Sequence, residues 1–451
     1  MPLLNAFLLC CAIVLLVMLT RRDRVHPFLA IAVVAVAFGA AARLSIGQIS
    51  KYFGQGFSLT LVSSGLVIVA AAIIAAIADG THASARITAA TRHWPARVRA
   101  IVAIPLGLIA GLGGATPAAF AVLAPLRSAI AGAGTGTQRR IAVQLGLALS
   151  AGHGMLWPSP VVIAAVAILR AELGLVLLYG VPTAVVSAAL GAWVAQTALA
   201  RTGQAPSPIP EPSPSAPDPP STPQAGGHMA VVLVVVTAVL ISMLIVQSIG
   251  TMPSEPLGGG PAREVLLAIG RPFTLLVVGV ALMLLALGRR DAAVWSADGW
   301  VGQGLSRAGT VILLVGAAGG FQTLTQQTGM AELLAEKLLD WRIGLVLPFV
   351  VAAVIKMLQG SSLVAVITAA GMIEPLLAPL GIDSGSGRAL AVIALGAGAV
   401  SGTHANDPYF WLVANAARLR PGGALLLLGV GTLVQGCCAL LVIALLGAFT
   451  G

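Results

Sequence analysis

The chain has 451 residues, of which 58% are hydrophobic and only 9% are charged, and its formal net charge is +10. A soluble globular domain carries about 25% charged residues, so this composition excludes a water-soluble protein. The Lys and Arg residues form no long or aromatic-interleaved block, which argues against a nucleic-acid partner and favours basic loops beside a lipid bilayer.

Apolar segments follow one another along the chain. The first predicted helix, Leu3 to Leu19, precedes a run of arginines, which is the opposite order to a cleaved signal peptide, so we expect this segment to be retained. Each of the longer uncharged runs exceeds the roughly 20 residues that cross a bilayer. These runs are Tyr52–Ala78, Ile141–Leu169, Ala308–Ala331 and Pro421–Gly451. The sequence therefore predicts an all-α polytopic membrane protein.

One segment near the middle of the chain differs from the rest. Residues 201–228 contain nine of the 27 prolines and almost no aliphatic side chain. This composition is typical of an extended, disordered linker. We therefore predict an N-terminal transmembrane repeat at 1–200, the linker at 201–228, and a C-terminal transmembrane repeat at 229–451.

The two halves resemble each other. Gly54-Gln55-Gly56 returns as Gly302-Gln303-Gly304, and the pair His153 and Pro158 returns about 250 positions later as His404 and Pro408. Features at a nearly constant offset indicate an internal repeat, and repeats of this kind, often inverted, are typical of secondary transporters.

Glycine and proline interrupt the apolar segments at matching places in both halves. The interruptions lie at 111–117 and 152–160 in the first half, and at 359–362 and 402–408 in the second. Non-helical backbone at membrane depth is tolerated only where protein buries it or where it lines a cavity. We therefore expect broken helices or re-entrant hairpins that meet near the membrane midplane and form the substrate site.

The densest group of polar residues lies at the last interruption. His404, Asn406 and Asp407 stand within four positions, and Pro408 follows them. A charged Asp costs about 2.5–3.5 kcal/mol at the centre of a membrane helix, so these side chains need a cavity or a partner. Asp407 before Pro408 also suits the N-cap of a helix, and a cap is compatible with a binding site.

A second polar group precedes the other interruption of this half. Lys356 follows thirteen uncharged residues. It either extends to the membrane surface or is a buried cation that pairs with a carboxylate, from the substrate or from Asp407. Gln359, Ser361 and Ser362 offer neutral hydrogen-bonding groups, and Gly360 allows a close approach of the backbone.

In the first half, His153 is the only titratable residue between Arg140 and Arg170. It is either a hydrogen-bonded residue at a helix interface or, because its position matches His404, part of the site. Histidine is the side chain best suited to change its charge near neutral pH. We therefore keep His153 as a candidate for both binding and coupling.

Three sequence elements carry a resemblance to a known family. They are Gly316-Ala-Ala-Gly-Gly-Phe321, Gln359-Gly-Ser-Ser-Leu-Val-Ala-Val-Ile-Thr368, and Thr403-His-Ala-Asn-Asp407 before Phe410-Trp411. With them the chain resembles the gluconate:proton symporter (gluconate permease, GntP) family of the ion transporter superfamily. The resemblance covers nearly the whole chain apart from the linker.

This resemblance implies an elevator-type transporter, in which a substrate-carrying domain moves against a scaffold, and a homodimer. It also implies proton-driven uptake of gluconate or a related sugar acid across the cytoplasmic (inner) membrane. The expected substrate-binding residues are Gln359, Gly360, Ser361, Ser362, Thr368, Thr403, His404, Asn406, Asp407 and His153. The candidates for proton coupling are Asp407, His404, His153 and Lys356. We expect no cofactor and no metal ion.

Departures from the family pattern leave two alternatives open. Lys356 stands where the family usually has Arg, Thr403 replaces Ser, and the second histidine that usually follows His153 is missing. The chain could therefore carry another carboxylate, such as lactate, glycerate, a dicarboxylate or an aromatic acid, with sodium or a proton. A remote alternative is a membrane-embedded enzyme that uses His404 and Asp407, although no motif for metal-dependent or nucleophilic hydrolysis appears.

Overall fold

The computed structural model describes residues 2–20, 25–91, 93–113, 116–132, 134–202, 225–251, 258, 260–288, 292–329 and 343–450. Every regular element in these residues is helical. Six helical segments are long and apolar enough to cross a bilayer, and there are seven if the helices Pro261–Ile269 and Pro272–Leu287, which meet at 63°, form one bent span. The prediction of a polytopic α-helical membrane protein is confirmed.

The helices before the predicted linker are α1 (Pro2–Leu19), α2 (Pro27–Ala41), α3 (Ile46–Thr60), α4 (Leu66–Gly80), α5 (Ala83–Thr91), α6 (Ala96–Ala110), α7 (Thr116–Val122), α8 (Ala124–Ala131), α9 (Thr135–Met155), α10 (Pro160–Leu169) and α11 (Leu173–Thr202). A π-helical turn at Leu61–Gly65 joins α3 to α4 as one span.

The helices after the predicted linker are α12 (Ala225–Gly250), α13 (Pro261–Ile269), α14 (Pro272–Leu287), α15 (Ala292–Trp295), α16 (Trp300–Gln326), α17 (Val346–Gln359), α18 (Ser362–Ile373), α19 (Gly385–Ala399), α20 (Pro408–Ala416), α21 (Pro421–Ala424) and α22 (Val430–Thr450). A 3₁₀ turn follows α18, and a π-helical turn at Leu425–Gly429 joins α21 to α22.

The predicted linker is too long at both ends. Helix α11 continues to Thr202, and α12 already begins at Ala225, so 201–202 and 225–228 are helical. Once a helix is nucleated, each further residue adds a hydrogen bond at little cost, which carries a helix past its last apolar residue. The remainder of the predicted linker, 203–224, lies outside the described residues.

Side-chain caps mark where several helices restart after an interruption. The hydroxyls of Ser159, Ser361 and Ser384 accept hydrogen bonds from backbone N–H groups in the first turns of α10, α18 and α19. The carboxylate of Asp407 does the same for α20 by accepting from Tyr409 N at 2.9 Å. Each cap satisfies a donor that has no partner within its own helix, which is costly to leave unmet in a membrane protein.

The apolar core consists of two clusters, and each contains helices from both halves of the sequence. The larger cluster joins α1–α4 and α7–α9 with α12, α14, α16 and α20. The second joins α10 and α11 with α17, α18, α19 and α22. Helices from the two halves of the chain therefore pack against each other within both clusters.

Two spans are each broken by an interruption, α9–α10 in the first half and α19–α20 in the second. These two broken spans cross at a pair of glycines. A Cβ atom added to Gly396 in α19 would lie 1.8 Å from the carbonyl oxygen of Gly154 in α9. A Cβ atom at Gly154 would in turn lie 2.7 Å from Gly396 O. Only glycine allows backbones to approach this closely. This crossing holds the interruption at 156–159 beside α19, close to the interruption at 400–407.

Candidate functional site

The first component of the candidate site is the hairpin of α17 and α18. Helix α17 ends at Gln359, and the next residue, Gly360, has φ of 80° and closes the helix with a hydrogen bond from its N–H to Lys356 O. Ser361 then caps α18. The hairpin turn thus occupies only two residues, and the carbonyl end of one helix lies next to the N–H end of the other.

The second component is the interruption between α19 and α20. Gly402 has φ of 65°, and residues 401–407 are all buried. Thr403 N donates to the hydroxyl of Thr432 at 3.0 Å, which ties the interruption to α22. Asp407 caps α20, with Pro408 at its first position, as the sequence predicts.

Two polar side chains of this interruption bind the carbonyl end of α17. His404 Nε2 donates to Met357 O at 2.6 Å. Asn406 Nδ2 donates to the same carbonyl at 3.1 Å and to Leu358 O at 3.3 Å. These bonds satisfy carbonyls that a helix leaves unpaired at its C-terminal end. They also hold the hairpin and the broken span together.

A buried ion pair lies between the same two elements. Lys356 Nζ is 2.5 Å from Asp407 Oδ2 and 2.6 Å from Gly360 O, and the exposed fractions of the two charged side chains are 2% and 9%. Of the two alternatives for Lys356, the structure shows the buried cation that pairs with Asp407. Removing one partner of such a pair costs about 3–5 kcal/mol, because the other charge is then buried alone.

The first half contributes His153, at the C-terminal end of α9. Its ring forms a hydrogen bond with the backbone of Gly111, at the end of α6, and it is close enough to Lys356 to interact electrostatically. His404 interacts with Lys356 in the same way. In each half, therefore, the histidine near the interruption binds the C-terminal end of another helix, which is α6 for His153 and α17 for His404.

Each of the two histidines has one ring nitrogen without a hydrogen-bond partner among the described residues. The Nδ1 atoms of His153 and His404 are buried and have no hydrogen-bond partner among the described residues. In His404 the Nε2 atom faces a carbonyl oxygen and therefore carries the proton, which leaves Nδ1 as an acceptor. A buried acceptor without a donor costs about 1–3 kcal/mol, so a ligand hydroxyl at this position would be stabilising.

The structure brings most of the predicted site residues together, but not all of them. Gln359 and Gly360 lie beside the ion pair, and Ser361 and Ser362 begin α18. Thr368 lies two turns further along α18, about 9 Å from the start of that helix, outside this set of contacts.

Two polar residues at the site do not stand out in the sequence. Gln326 Nε2 donates to Gln359 O at 3.2 Å from the end of α16, and Thr432 accepts from Thr403 N. Each is a polar residue in or at the end of an apolar span, which is the signal that could have identified them. The Tyr409 hydroxyl, in addition, donates to Gly146 O at 2.7 Å and joins α20 to α9.

Comparisons with known proteins show which proteins the chain resembles. Residues 2–449 match the family model described as GntP family permease. The chain is 28% identical to the gluconate permease of Pseudomonas aeruginosa, over 91% of this chain and 90% of that protein. It is 26% identical to the Gnt-II system L-idonate transporter of Escherichia coli K12, over 94% of each chain, and 24% identical to the D-serine transporter DsdX of Escherichia coli O6:H1, over 89% of each.

Proposed function

Because this chain belongs to the family of GntP permeases, we propose that it carries gluconate or a related sugar acid, together with a proton, across the cytoplasmic membrane. The chain is a multi-pass inner-membrane permease and not an enzyme. The alternative of a membrane-embedded hydrolase or transferase is therefore wrong.

The observation that carries the proposal is the buried meeting point of the α17–α18 hairpin with the α19–α20 interruption. A sugar acid has one carboxylate and several hydroxyls. Lys356 supplies the only lysine or arginine charge in the polar contacts described above, and the N-terminal ends of α18 and α20 favour an anion. The Nδ1 atoms of His153 and His404 provide acceptors for hydroxyl donors.

We further propose that the two halves are inverted repeats. In support, Arg139 Nε in α9 donates to Ala417 O at the end of α20, and Arg388 Nη1 in α19 donates to Leu169 O at the end of α10. The two arginines are 249 positions apart, and each binds the far end of the other half's broken span. Helices α6 and α17 begin 250 positions apart, as do α9 and α19.

An elevator motion and a homodimer are part of the same proposal. The α17–α18 hairpin and the α19–α20 interruption would move together as part of the substrate-carrying domain, since the ion pair and His404 join them. Spin labels on Leu59 in α3 and Ile367 in α18, both exposed, should give two distance populations whose ratio changes with substrate. One unchanging distance would argue against the motion, and native mass spectrometry would test the dimer.

Uptake by purified protein in liposomes tests the cargo. An inward proton gradient should drive accumulation of labelled gluconate, and unlabelled L-idonate or other sugar acids should compete. If a panel of sugar acids gives neither uptake nor thermal stabilisation, the proposed cargo is wrong.

The Asp407→Asn variant tests the coupling. The side-chain amide of Asn does not bind or release a proton near neutral pH. The variant should therefore lose gradient-driven accumulation but still exchange substrate between the two sides of the membrane. The Asp383→Asn variant removes an exposed, paired carboxylate elsewhere and should accumulate substrate like the wild type. Wild-type accumulation by Asp407→Asn would remove Asp407 from the coupling role.

A second cargo class is favoured by the name of one relative, which is a D-serine transporter. The same ion pair would accept another small carboxylate, with sodium as the alternative coupling ion. Uptake assays in sodium-free and sodium-containing buffer separate the ions. Competition by lactate, glycerate and D-serine against gluconate separates the cargoes.

A further inference from the structure

The Lys356–Asp407 pair fills the place where an anionic substrate would bind. Lys356 Nζ is the cation that the hairpin offers, and its short contacts are with Asp407 Oδ2 and Gly360 O. Asp407 Oδ2 and Gly360 O occupy two of the three N–H donors of this ammonium, so a substrate carboxylate that becomes the ion-pair partner of Lys356 has to displace Asp407. The ion pair with Asp407 is therefore the contact that a substrate carboxylate would replace.

We propose that transport proceeds by exchange of ion-pair partners at Lys356: the substrate carboxylate displaces Asp407, and the released Asp407 carboxylate takes up the co-transported proton. This inference rests on the proposed function. Written as a balance, the Lys356 ammonium paired with the Asp407 carboxylate, plus one substrate anion and one proton, gives the ammonium paired with the substrate carboxylate and a neutral Asp407 acid. No covalent bond other than the O–H bond forms or breaks.

Charge balance explains why the proton is required. The empty site contains one positive and one negative charge, so it is neutral as a unit. A monoanionic substrate alone would give it a net charge of −1, which is costly to carry through a membrane interior. One proton on Asp407 restores neutrality in the loaded state. The empty and loaded carriers can then both move, whereas a carrier with substrate but no proton cannot.

The same balance restricts the cargo to monocarboxylates. The site has one lysine cation, and a dicarboxylate would keep one negative charge unbalanced after Asp407 is protonated. The other ionisable groups that interact with the pair are His153 from α9, His404 from the interruption and Tyr409 from α20. Both histidines bind backbone through one ring nitrogen, and the Tyr409 hydroxyl binds Gly146 O. Asp407 is the only carboxylate among these groups.

Asp407 is placed so that its release is local. Its Oδ1 atom accepts from Tyr409 N at the start of α20, and its Oδ2 atom holds Lys356. A protonated carboxyl group can keep the first bond through one oxygen and donate its proton through the other. The cap of α20 therefore survives the exchange, and the broken span need not unfold.

Proton uptake on binding tests the exchange without any transport. Calorimetry of gluconate binding to the full-length protein in buffers of different ionisation enthalpy should give about one proton taken up per gluconate bound, by the charge balance above. Asp407→Asn should bind gluconate with no proton uptake. His153→Gln and His404→Gln should still take up about one proton, and so should the control Asp383→Asn. Binding without proton uptake by the wild type, or uptake that disappears with a histidine instead of Asp407, would overturn the exchange.

The role of Lys356 has a separate readout. The wild type should bind gluconate about 10–100-fold more tightly than the uncharged gluconamide, as expected for a charge-assisted hydrogen bond. In Lys356→Gln the ratio should fall to near one. Should that variant not fold, infrared difference spectra of the wild type provide the test. A protonated carboxyl band should appear when gluconate binds and be missing in Asp407→Asn, and its absence from the wild type would contradict the proposal.

These results are distinguishable from a failure of the proposed function. If gluconate does not bind, the same titrations with lactate, glycerate and L-idonate test the exchange on whichever monocarboxylate binds. If gluconate is accumulated with protons but binds without proton uptake at Asp407, the function stands and the exchange is wrong.

Discussion

Replacing Gly360 by alanine adds one methyl group to the turn of the α17–α18 hairpin. We expect this substitution to disturb the candidate site more than an added methyl group at any other position of the hairpin. Gly360 has φ of 80°, and a Cβ atom there would lie 2.4 Å from the carbonyl oxygen of Asn406. A left-handed conformation costs an L-residue about 1–2 kcal/mol. Forcing a methyl group against packed backbone costs a further 1–3 kcal/mol or so. The sum is about 2–5 kcal/mol.

Two other glycines of the same region separate these contributions. Gly371 lies in the exposed part of α18 with ordinary φ and open space around it, so alanine there should be neutral or stabilise by up to about 1 kcal/mol. Gly381 has φ of 71° and also has open space, so alanine there should cost only the backbone term. The difference between the variants at Gly360 and Gly381 isolates the contact with residue 406.

Thermal unfolding in detergent and gluconate uptake in liposomes are the two measurements. The Gly360→Ala variant should unfold on the order of 5 °C below the wild type, since each kcal/mol shifts the midpoint by about 1–2 °C in a chain of this length. Its uptake should fall strongly because the hairpin no longer fits against the interruption. If Gly360→Ala and Gly381→Ala unfold at the same temperature and both transport like the wild type, the contact between the hairpin and residue 406 is not important, and our reasoning is refuted.

Two further substitutions test contacts that join the halves. Tyr409→Phe removes the bond to Gly146 O and should lower the free energy of unfolding by about 0.5–1.5 kcal/mol. The KM for uptake should stay within about twofold of the wild-type value. A tenfold rise in KM would show instead that the hydroxyl contacts the substrate. Arg388→Met removes the bond to Leu169 O and should lower the unfolding temperature more than Asp383→Asn does. The control Asp383→Asn only breaks an exposed ion pair worth about 0–1 kcal/mol. Equal effects of the two substitutions would show that the bond to α10 contributes nothing to stability.

Much of the fold could be predicted because its signals are local. Runs of uncharged residues predict the spans, and Gly and Pro mark where those spans break. Asp407 before Pro408 predicts a helix start that the structure shows. The linker was less well predicted, since α11 and α12 extend into it from both sides. Composition alone does not show where helical hydrogen bonding stops.

The candidate site could be predicted in its residues but not in its contacts. The sequence identifies Lys356, His404, Asn406 and Asp407 as polar groups that a membrane interior cannot leave without partners. It does not say that His404 and Asn406 both bind the end of α17, because those bonds join positions almost 50 residues apart. It gives no sign that Gln326 reaches the same hairpin.

What the sequence determined by itself is the class of protein, the positions of the interruptions and the set of polar residues that must be satisfied. Hydropathy and helix breaking depend on a residue and its neighbours in the chain, so both can be predicted from the sequence. Only the tertiary structure decided which groups satisfy one another. The low dielectric of the interior requires a buried Lys356 to have a counter-ion, but the sequence alone leaves a substrate carboxylate and Asp407 as alternatives. The short hairpin turn at Gly360 and the crossing of α9 with α19 bring Asp407 next to Lys356. The pairing therefore depends on close packing between residues that are far apart in the sequence.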